Sequence, residues 1–190
     1  MILVVVVALA ALTVVGAGGS LGEISQLKWK ALWSLIAAVG VQVLIIGVVP
    51  KEVAGWPGGV LQLVSYVLAV AFLIANRHVP WLWLVGVGGL CNLLAIGANR
   101  GVMPASPEAL RAAGIVVPKG QFLNSMSIRG AHLAFLGDNF SIPRGWPLAD
   151  VFSIGDVVLV AGTFLLLHSV CRSRVALAAR RLRGHAPTQS

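Results

Sequence analysis

Two aspartates are the residues best suited to chemistry in this chain, and Asp138 and Asp156 lie eighteen positions apart. Asp156 falls inside a long apolar segment, and Asp138 lies in the more polar stretch that precedes it. Two carboxylates that share a site separate their pKa values, so one can act as an acid while the other activates water. The pair is therefore a candidate catalytic dyad.

Each aspartate also has a simpler structural interpretation. A protonated Asp156 could join two helices through a hydrogen bond to Asn92 or Asn99, and the residue types alone favour this role. Asp138 by itself is typical of an Asx turn. Asp150, the alternative partner for a pair, is better explained as an N-terminal helix residue that favours the helix dipole.

The spacing of nearby polar residues predicts the contacts of Asp156. Ser153, Asp156 and Thr163 share one helical face, and Asn92 and Asn99 share a face of the preceding apolar segment. We expect these two faces to meet. Asn92, Asn99 and Ser153 are then the candidate substrate-binding residues.

The sequence predicts neither a metal nor a cofactor. Cys91 and Cys171 form no C-x-x-C motif and no zinc pattern. His78 and His168 lie at the ends of two apolar segments, and such a pair can ligate haem. A histidine in that position is more often a polar anchor, and we expect that role here.

The composition indicates the surroundings in which these residues must be held. Of the 190 residues, 58% are hydrophobic and 11% are charged, whereas a typical domain has about 25% charged residues. This excludes a disordered chain, a nucleic-acid-binding domain and an ordinary cytosolic enzyme. Five apolar segments are predicted to be transmembrane helices: 2–18, 31–49, 58–75, 80–98 and 148–167.

The predicted fold is an all-α integral membrane protein with one domain over residues 1–171 and a basic cytoplasmic tail over 172–190. The distribution of Lys and Arg places the N-terminus outside and the C-terminus inside a bacterial inner membrane. The first segment lacks a preceding basic residue, which favours a retained helix over a cleaved signal peptide.

The long loop over residues 99–147 is expected to be ordered and extracytoplasmic. Residues 108–113 predict a short helix within it, ended by Gly114. The predicted partners are membrane lipids, together with a lipid, peptide or membrane protein as ligand. Nucleic acid is not an expected partner.

The run from Phe152 to Gly162 resembles the last-helix motif of signal peptidase II, the lipoprotein signal peptidase. That family carries Phe-Asn-x-Ala-Asp with a glycine six positions after the aspartate, and here Gly162 follows Asp156 at that distance. The resemblance implies a metal-independent aspartyl protease in which Asp138 and Asp156 form the dyad. It also implies that Asn99-Arg100-Gly101 corresponds to the family's Asn-x-Gly motif.

The second half of the chain also resembles an uncharacterised family of small bacterial membrane proteins. The resemblance rests on Asn-Arg-Gly-Val-Met-Pro at 99–104, on the Leu-Gly-Asp stretch that ends at Asp138, and on Ser-Ile-Gly-Asp at 153–156. It implies no known activity.

Two function hypotheses follow. The first is a small scaffold or binding module with a polar, outward-facing cavity around Asp156. The alternative is an aspartyl hydrolase of the signal peptidase II kind that uses Asp138 and Asp156.

Overall fold

The computed structural model describes residues 2–47, 56–116 and 125–177. Within these residues five longer helices pack together. The last two of them are joined by residues 99–153, which we call the connecting segment. The elements in chain order are α1 (Ile2–Gly16), α2 (Glu23–Gln26), α3 (Leu32–Gly47), α4 (Trp56–Ala75), α5 (Leu82–Ala98), β1 (Met103–Pro104), α6 (Pro107–Ala113), β2 (Ser125–Met126), β3 (Phe140–Ile142), β4 (Asp150–Phe152) and α7 (Ile154–Val170).

The longer helices coincide with the five apolar segments, but their predicted role as membrane spans is wrong. Over the described residues, no helix combines the length and the apolar character needed to cross a membrane. Helices α1, α3, α5 and α7 have 15, 16, 17 and 17 residues. At 1.5 Å per residue such helices are about 22–26 Å long, whereas a bilayer's hydrocarbon is ~30 Å thick.

Three expectations that depended on membrane spans are corrected with them. These are the five-helix transmembrane bundle, the inner-membrane location with the N-terminus outside, and the extracytoplasmic position of the loop over 99–147. The division into one domain and a tail stays a prediction. Residues 178–190 of the tail and residues 117–124 of the loop lie outside the described residues.

The prediction of an all-α fold is also wrong, because the segment between α5 and α7 contains two strand pairs. Strand β1 pairs with β2 in parallel, and β3 pairs with β4 in antiparallel register, with Phe140 opposite Phe152. The antiparallel pair takes up the start of the predicted fifth span. Helix α7 therefore begins at Ile154, directly after its N-cap Ser153, and not at Leu148.

The predicted short helix over 108–113 is confirmed as α6. Ser106 is its N-cap and accepts a hydrogen bond from the backbone N–H of Ala109. Gly114 ends the helix with a positive φ of 71°, a conformation that glycine adopts at little cost. Ser106 also holds the segment that carries Asp138, because its backbone N–H donates a hydrogen bond to the Asp138 carbonyl.

Glycines let α5 and α7 approach to backbone contact. A Cβ added at Gly88 would lie 2.5 Å from the backbone nitrogen of Leu159, and one added at Gly162 would lie 2.7 Å from that of Val85. A second close approach joins the start of α4 to the end of α5, where a Cβ on Gly59 would lie 2.7 Å from the Arg100 carbonyl oxygen. These contacts fix the positions of three helices around one cavity.

The remaining helices are attached to this group by hydrogen bonds in which one partner is a buried polar side chain: Ser65, His168 or Asn76. On α3, Gln42 donates a hydrogen bond of 2.7 Å to Ser65 on α4. On α1, Thr13 Oγ1 lies 3.1 Å from His168 Nε2 on α7. Asn76, at the end of α4, exchanges two hydrogen bonds with the backbone of Lys30.

We expect Gly88→Ala to lower the free energy of unfolding by about 1–3 kcal/mol, because the added methyl group forces the α5 and α7 backbones apart. Gly89→Ala is the matched control, since nothing lies within 4 Å of a Cβ added there. The control should gain up to ~1 kcal/mol from helix propensity. Denaturant titrations followed by circular dichroism measure both, and equal effects would contradict the glycine-mediated contact.

Candidate functional site

A polar cavity of about 330 Å³ lies where the end of α5, the start of α7 and the connecting segment meet. Asp138 and Asp156 both line it, so the structure brings together the two aspartates that the sequence paired. We call it the acidic cavity. Its lining residues are Gln62, Tyr66, Asn92, Ile96, Gly101, Met103, Ser125, Asp138, Asp150, Val151 and Asp156.

Asp156 lies in the first turn of α7 and not deep inside a long helix. It forms a capping box with Ser153: the Ser153 backbone N–H donates to Asp156 Oδ2 at 2.9 Å, and the Asp156 backbone N–H donates to Ser153 Oγ at 3.0 Å. From α5, Asn92 Nδ2 donates to Asp156 Oδ1 at 2.8 Å. The expected contact between the Asn92 and Asp156 faces is therefore present.

Ser153 completes this hydrogen-bonded group but does not line the cavity. Its fully buried hydroxyl oxygen lies 2.8 Å from Asp156 Oδ2 and 2.9 Å from Asn92 Oδ1. A hydroxyl has one proton, so Ser153 donates to one of these oxygens at a time. Thr163 is not part of the group, because it donates to the Leu159 carbonyl of its own helix.

Asn99, the other predicted binding residue, is buried away from the acidic cavity's lining. Its Nδ2 donates to the carbonyls of Ala95 and His132, each at 2.7 Å, and its Oδ1 accepts from the His132 N–H at 2.9 Å. These bonds attach the connecting segment to the end of α5. Two positions later, Gly101 does line the cavity, against the start of α4.

Three hydrogen bonds from the connecting segment hold Asp138 in place. Its backbone N–H donates to the Pro104 carbonyl at 2.8 Å, and its carbonyl accepts from the Ser106 N–H at 3.1 Å. Its side chain, in a residue only 4% exposed, accepts a hydrogen bond of 2.5 Å from the Ser125 hydroxyl.

Burial is the main reason that the pKa of Asp138 rises from 3.8 to about 6. The hydrogen bond from Ser125 opposes this shift, and the negative charges of Asp156 and Asp150 add to it. A carboxyl group with this pKa changes its charge in the range of mildly acidic to neutral pH. The acidic cavity therefore contains a carboxyl group that can bind a proton, that of Asp138, and a second carboxyl group, that of Asp156.

Sequence reasoning missed Tyr66, the chain's single tyrosine, which lines the acidic cavity from α4. Burial raises its pKa to about 12, and the charges of Asp156 and Asp138 contribute to that rise. Gln62, one helical turn earlier, lines the same cavity. The i, i+4 spacing of these two polar residues in an apolar helix was the available signal. Ser125 gave no such signal.

Three aspartates line the acidic cavity: Asp138, Asp150 and Asp156. No Lys, Arg or His is among its described lining residues. The side-chain partners of Asp138 and Asp156 are Ser125, Ser153 and Asn92, all of them neutral. In the part of the chain that the structure describes, no three His, Cys, Asp or Glu side chains are grouped to hold a metal ion. The arrangement suits an organic cation or a proton.

His78 and His168, weighed above as haem ligands, line a separate cavity. Thr13 Oγ1 donates to the Ala10 carbonyl, so it must accept from His168 Nε2–H. His168 Nδ1 then accepts from Ser173, at 2.7 Å. Both ring nitrogens are occupied, and burial lowers the pKa of His168. His168 therefore has no lone pair available for iron.

The fold and the site define a mostly helical protein with two short strand pairs and a carboxylate-lined cavity at one end of its central helix pair. The chain belongs to DUF5317, a family of unknown function, whose model matches residues 26–168. Membership of an uncharacterised family was predicted and is confirmed.

An uncharacterized protein of Thermotoga maritima is 24% identical to this chain over 106 residues. The alignment covers 56% of this chain and 61% of that protein, so the chain spans about three-fifths of its relative. No solved structure matches the chain. None of these findings supports the resemblance to signal peptidase II.

We expect Asp138 to make stability depend on pH. Its pKa is about 6 in the folded state against an ordinary value of 3.8, so between these values the folded state binds more protons than the unfolded state. The free energy of unfolding should therefore fall by about 2 kcal/mol as pH rises from 4 to 6, and by up to ~3 kcal/mol over the full titration.

Asp138→Asn tests this, because it removes the titrating group and keeps an acceptor for Ser125. At pH 7.5 the variant should be more stable than the parent by up to ~3 kcal/mol, and its stability should change less between pH 4 and pH 6. Glu108→Gln, an exposed residue on α6, is the control. Identical pH profiles for the parent and Asp138→Asn in denaturant titrations would contradict the assignment.

Proposed function

We propose that this protein is a binding module whose acidic cavity recognises a small organic cation, an ammonium or guanidinium group carried by a small molecule or a peptide side chain. One observation carries the proposal. Asp138 and Asp156 line a single cavity of about 330 Å³, and their described side-chain partners are all neutral.

The charge balance of the cavity supports a cationic ligand. Ionising Asp138 beside Asp156 is unfavourable because the two negative charges repel each other, and a bound cation would reduce that penalty. Carboxylate and amide oxygens are the acceptors that an ammonium group needs for its three donors. The volume lies near the lower end of the range for small-molecule sites, about 300–1,000 Å³.

The hydrogen bonds around Asp156 support binding by a prearranged site. Ser153 and Asn92 hold the Asp156 carboxylate from both of its oxygens, so the ligand does not have to order it. Asn92 and Ser153, predicted above as binding residues, act in this proposal by positioning Asp156. Prearrangement of this kind reduces the entropic cost of association.

We expect n-butylammonium to bind, and its affinity to increase between pH 5 and pH 7.5 as Asp138 loses its proton. Asp138→Asn should weaken binding at pH 7.5 by at least tenfold, since a charge-assisted hydrogen bond contributes about 1.5–3 kcal/mol. Isothermal titration calorimetry on the full chain measures both effects. Glu108→Gln is the control variant, and 1-butanol is the neutral ligand of matched shape.

Equal binding of 1-butanol and n-butylammonium would contradict the proposal, as would an unchanged affinity in Asp138→Asn. The variant is expected to be more stable than the parent at that pH, so misfolding would not explain a loss of binding. Circular dichroism of each variant checks this directly.

A second candidate function is favoured by the raised pKa of Asp138 beside the charge of Asp156. In an aspartyl hydrolase, an ionised Asp156 would take a proton from water as the water oxygen attacks an amide carbonyl carbon. A protonated Asp138 would give its proton to the carbonyl oxygen. The C–N bond then breaks as Asp156 gives the proton it took from water to the leaving amine nitrogen, and Asp138 takes back its proton as the carboxylic acid forms. This corresponds to the alternative that the signal peptidase II resemblance implied.

The two candidate functions differ in the direction of their pH dependence. Hydrolysis needs Asp138 protonated, so activity should decrease as pH rises above about 6, whereas binding of the cation should increase. Cleavage of a peptide library at pH 5 and pH 7.5, measured by mass spectrometry, is the test. The hydrolase is excluded if no peptide is cleaved, or if Asp156→Asn cleaves as well as the parent.

A further inference from the structure

A second cavity, of about 740 Å³, lies at the opposite end of the α5–α7 pair. It is formed by the turn between α4 and α5, the C-terminal part of α7 and the residues just after it. Phe164 and His168 line it, eight and twelve positions after Asp156 on the same helix. At 1.5 Å per residue this places them about 12 and 18 Å along the helix from the acidic cavity. The two sites are separate.

Aromatic side chains form much of the wall of this cavity. Trp81 and Trp83 are stacked with their ring centroids 6.5 Å apart and their planes inclined by 28°. Trp83 is 60% exposed, although it lines the cavity. On the α7 side, the ring of Phe164 lies 4.2 Å from that of His168. Such a wall suits a flat apolar group.

Arg77 and His78 supply the polar groups of the cavity, and both are exposed. In the described parts of the chain neither side chain has a hydrogen bond or an ion pair, and no acidic residue is among the lining residues. The N-terminus of α5 and the C-terminus of α7 both lie at this end, so their helix dipoles oppose each other. Arg77 is the one Lys, Arg, Asp or Glu among the described lining residues, so its permanent positive charge makes the electrostatic potential in the cavity positive.

The backbone at Trp81 is strained where the aromatic wall begins. Trp81 is the N-cap of α5 and has a φ of 66°, in the left-handed region that bulky residues rarely adopt. Conformations of this kind cost about 1–3 kcal/mol and cluster at ligand sites.

We infer that this cavity binds an organic carboxylate with a flat, apolar body. The guanidinium group of Arg77 matches a carboxylate with two parallel N–H donors. The tryptophan pair and Phe164 would contact the body of the ligand. The volume fits a ligand of ordinary small-molecule size, about 300–1,000 Å³. The site is distinct from the acidic cavity of the proposed function and takes a ligand of the opposite charge.

Calorimetry with 2-naphthoate on the full chain tests the inference. We expect one molecule to bind per chain, and 2-naphthalenemethanol, the neutral analogue, to bind at least tenfold more weakly. Arg77→Gln should weaken 2-naphthoate binding by at least tenfold. Arg111→Gln, an exposed arginine on α6 that pairs with Glu108, should leave binding unchanged.

The aromatic wall is tested separately. Trp83→Ala should weaken 2-naphthoate binding by at least fivefold, whereas Trp33→Ala should have no effect, because Trp33 is 68% exposed on α3 outside the cavity. The inference fails if 2-naphthoate does not bind, if the alcohol binds equally well, or if Arg77→Gln has no effect. Binding of n-butylammonium to Arg77→Gln should equal that of the parent, so the two sites can fail independently.

Discussion

The hydrogen-bonded group of Asn92, Ser153 and Asp156 joins α5 to α7 and holds one wall of the acidic cavity in place. It forms where α5 and α7 are in backbone contact, and it satisfies polar atoms of both helices in one place. Removing one partner from such a buried group leaves another unsatisfied, at a cost of about 1–3 kcal/mol. The same group starts α7, positions a carboxylate at the acidic cavity and fixes the register of the helix pair.

The helix pair keeps two sites of opposite charge apart. Asp138 and Asp156 lie at one end, and Arg77 and His78 lie at the other. Glycines such as Gly88 allow the intervening backbones to touch, so the separation is set by rigid helices and not by flexible side chains. If each site binds its ligand, one compact unit holds an organic cation and an organic anion at a fixed distance.

Secondary structure that is set by neighbouring residues could be predicted from the sequence. Features that are set by distant residues or by the environment of the chain could not. The short helix predicted over 108–113 with Gly114 as its stop is present as α6, because a stop signal acts within one turn. The apolar segments correctly located helices, but apolar character alone did not establish that they span a membrane. Helix α7 begins later than predicted because residues 150–152, which were predicted to be helical, form β4 and pair with β3. The paired residues are eight to twelve positions apart in the chain.

Residue type and local spacing were enough to identify the charged residues and the approximate positions of the longer helices. The sequence also indicated that Asp156 needs polar neighbours, because a carboxylate in an apolar segment is costly without them. The packing of distant parts of the chain brings Asp138 and Tyr66 into the same cavity as Asp156 and leaves Asn99 outside its lining. The position of Asp138 depends on how the connecting segment folds back over the helices, and that of Tyr66 depends on how α4 packs against α5. Both are set by contacts between residues far apart in the chain.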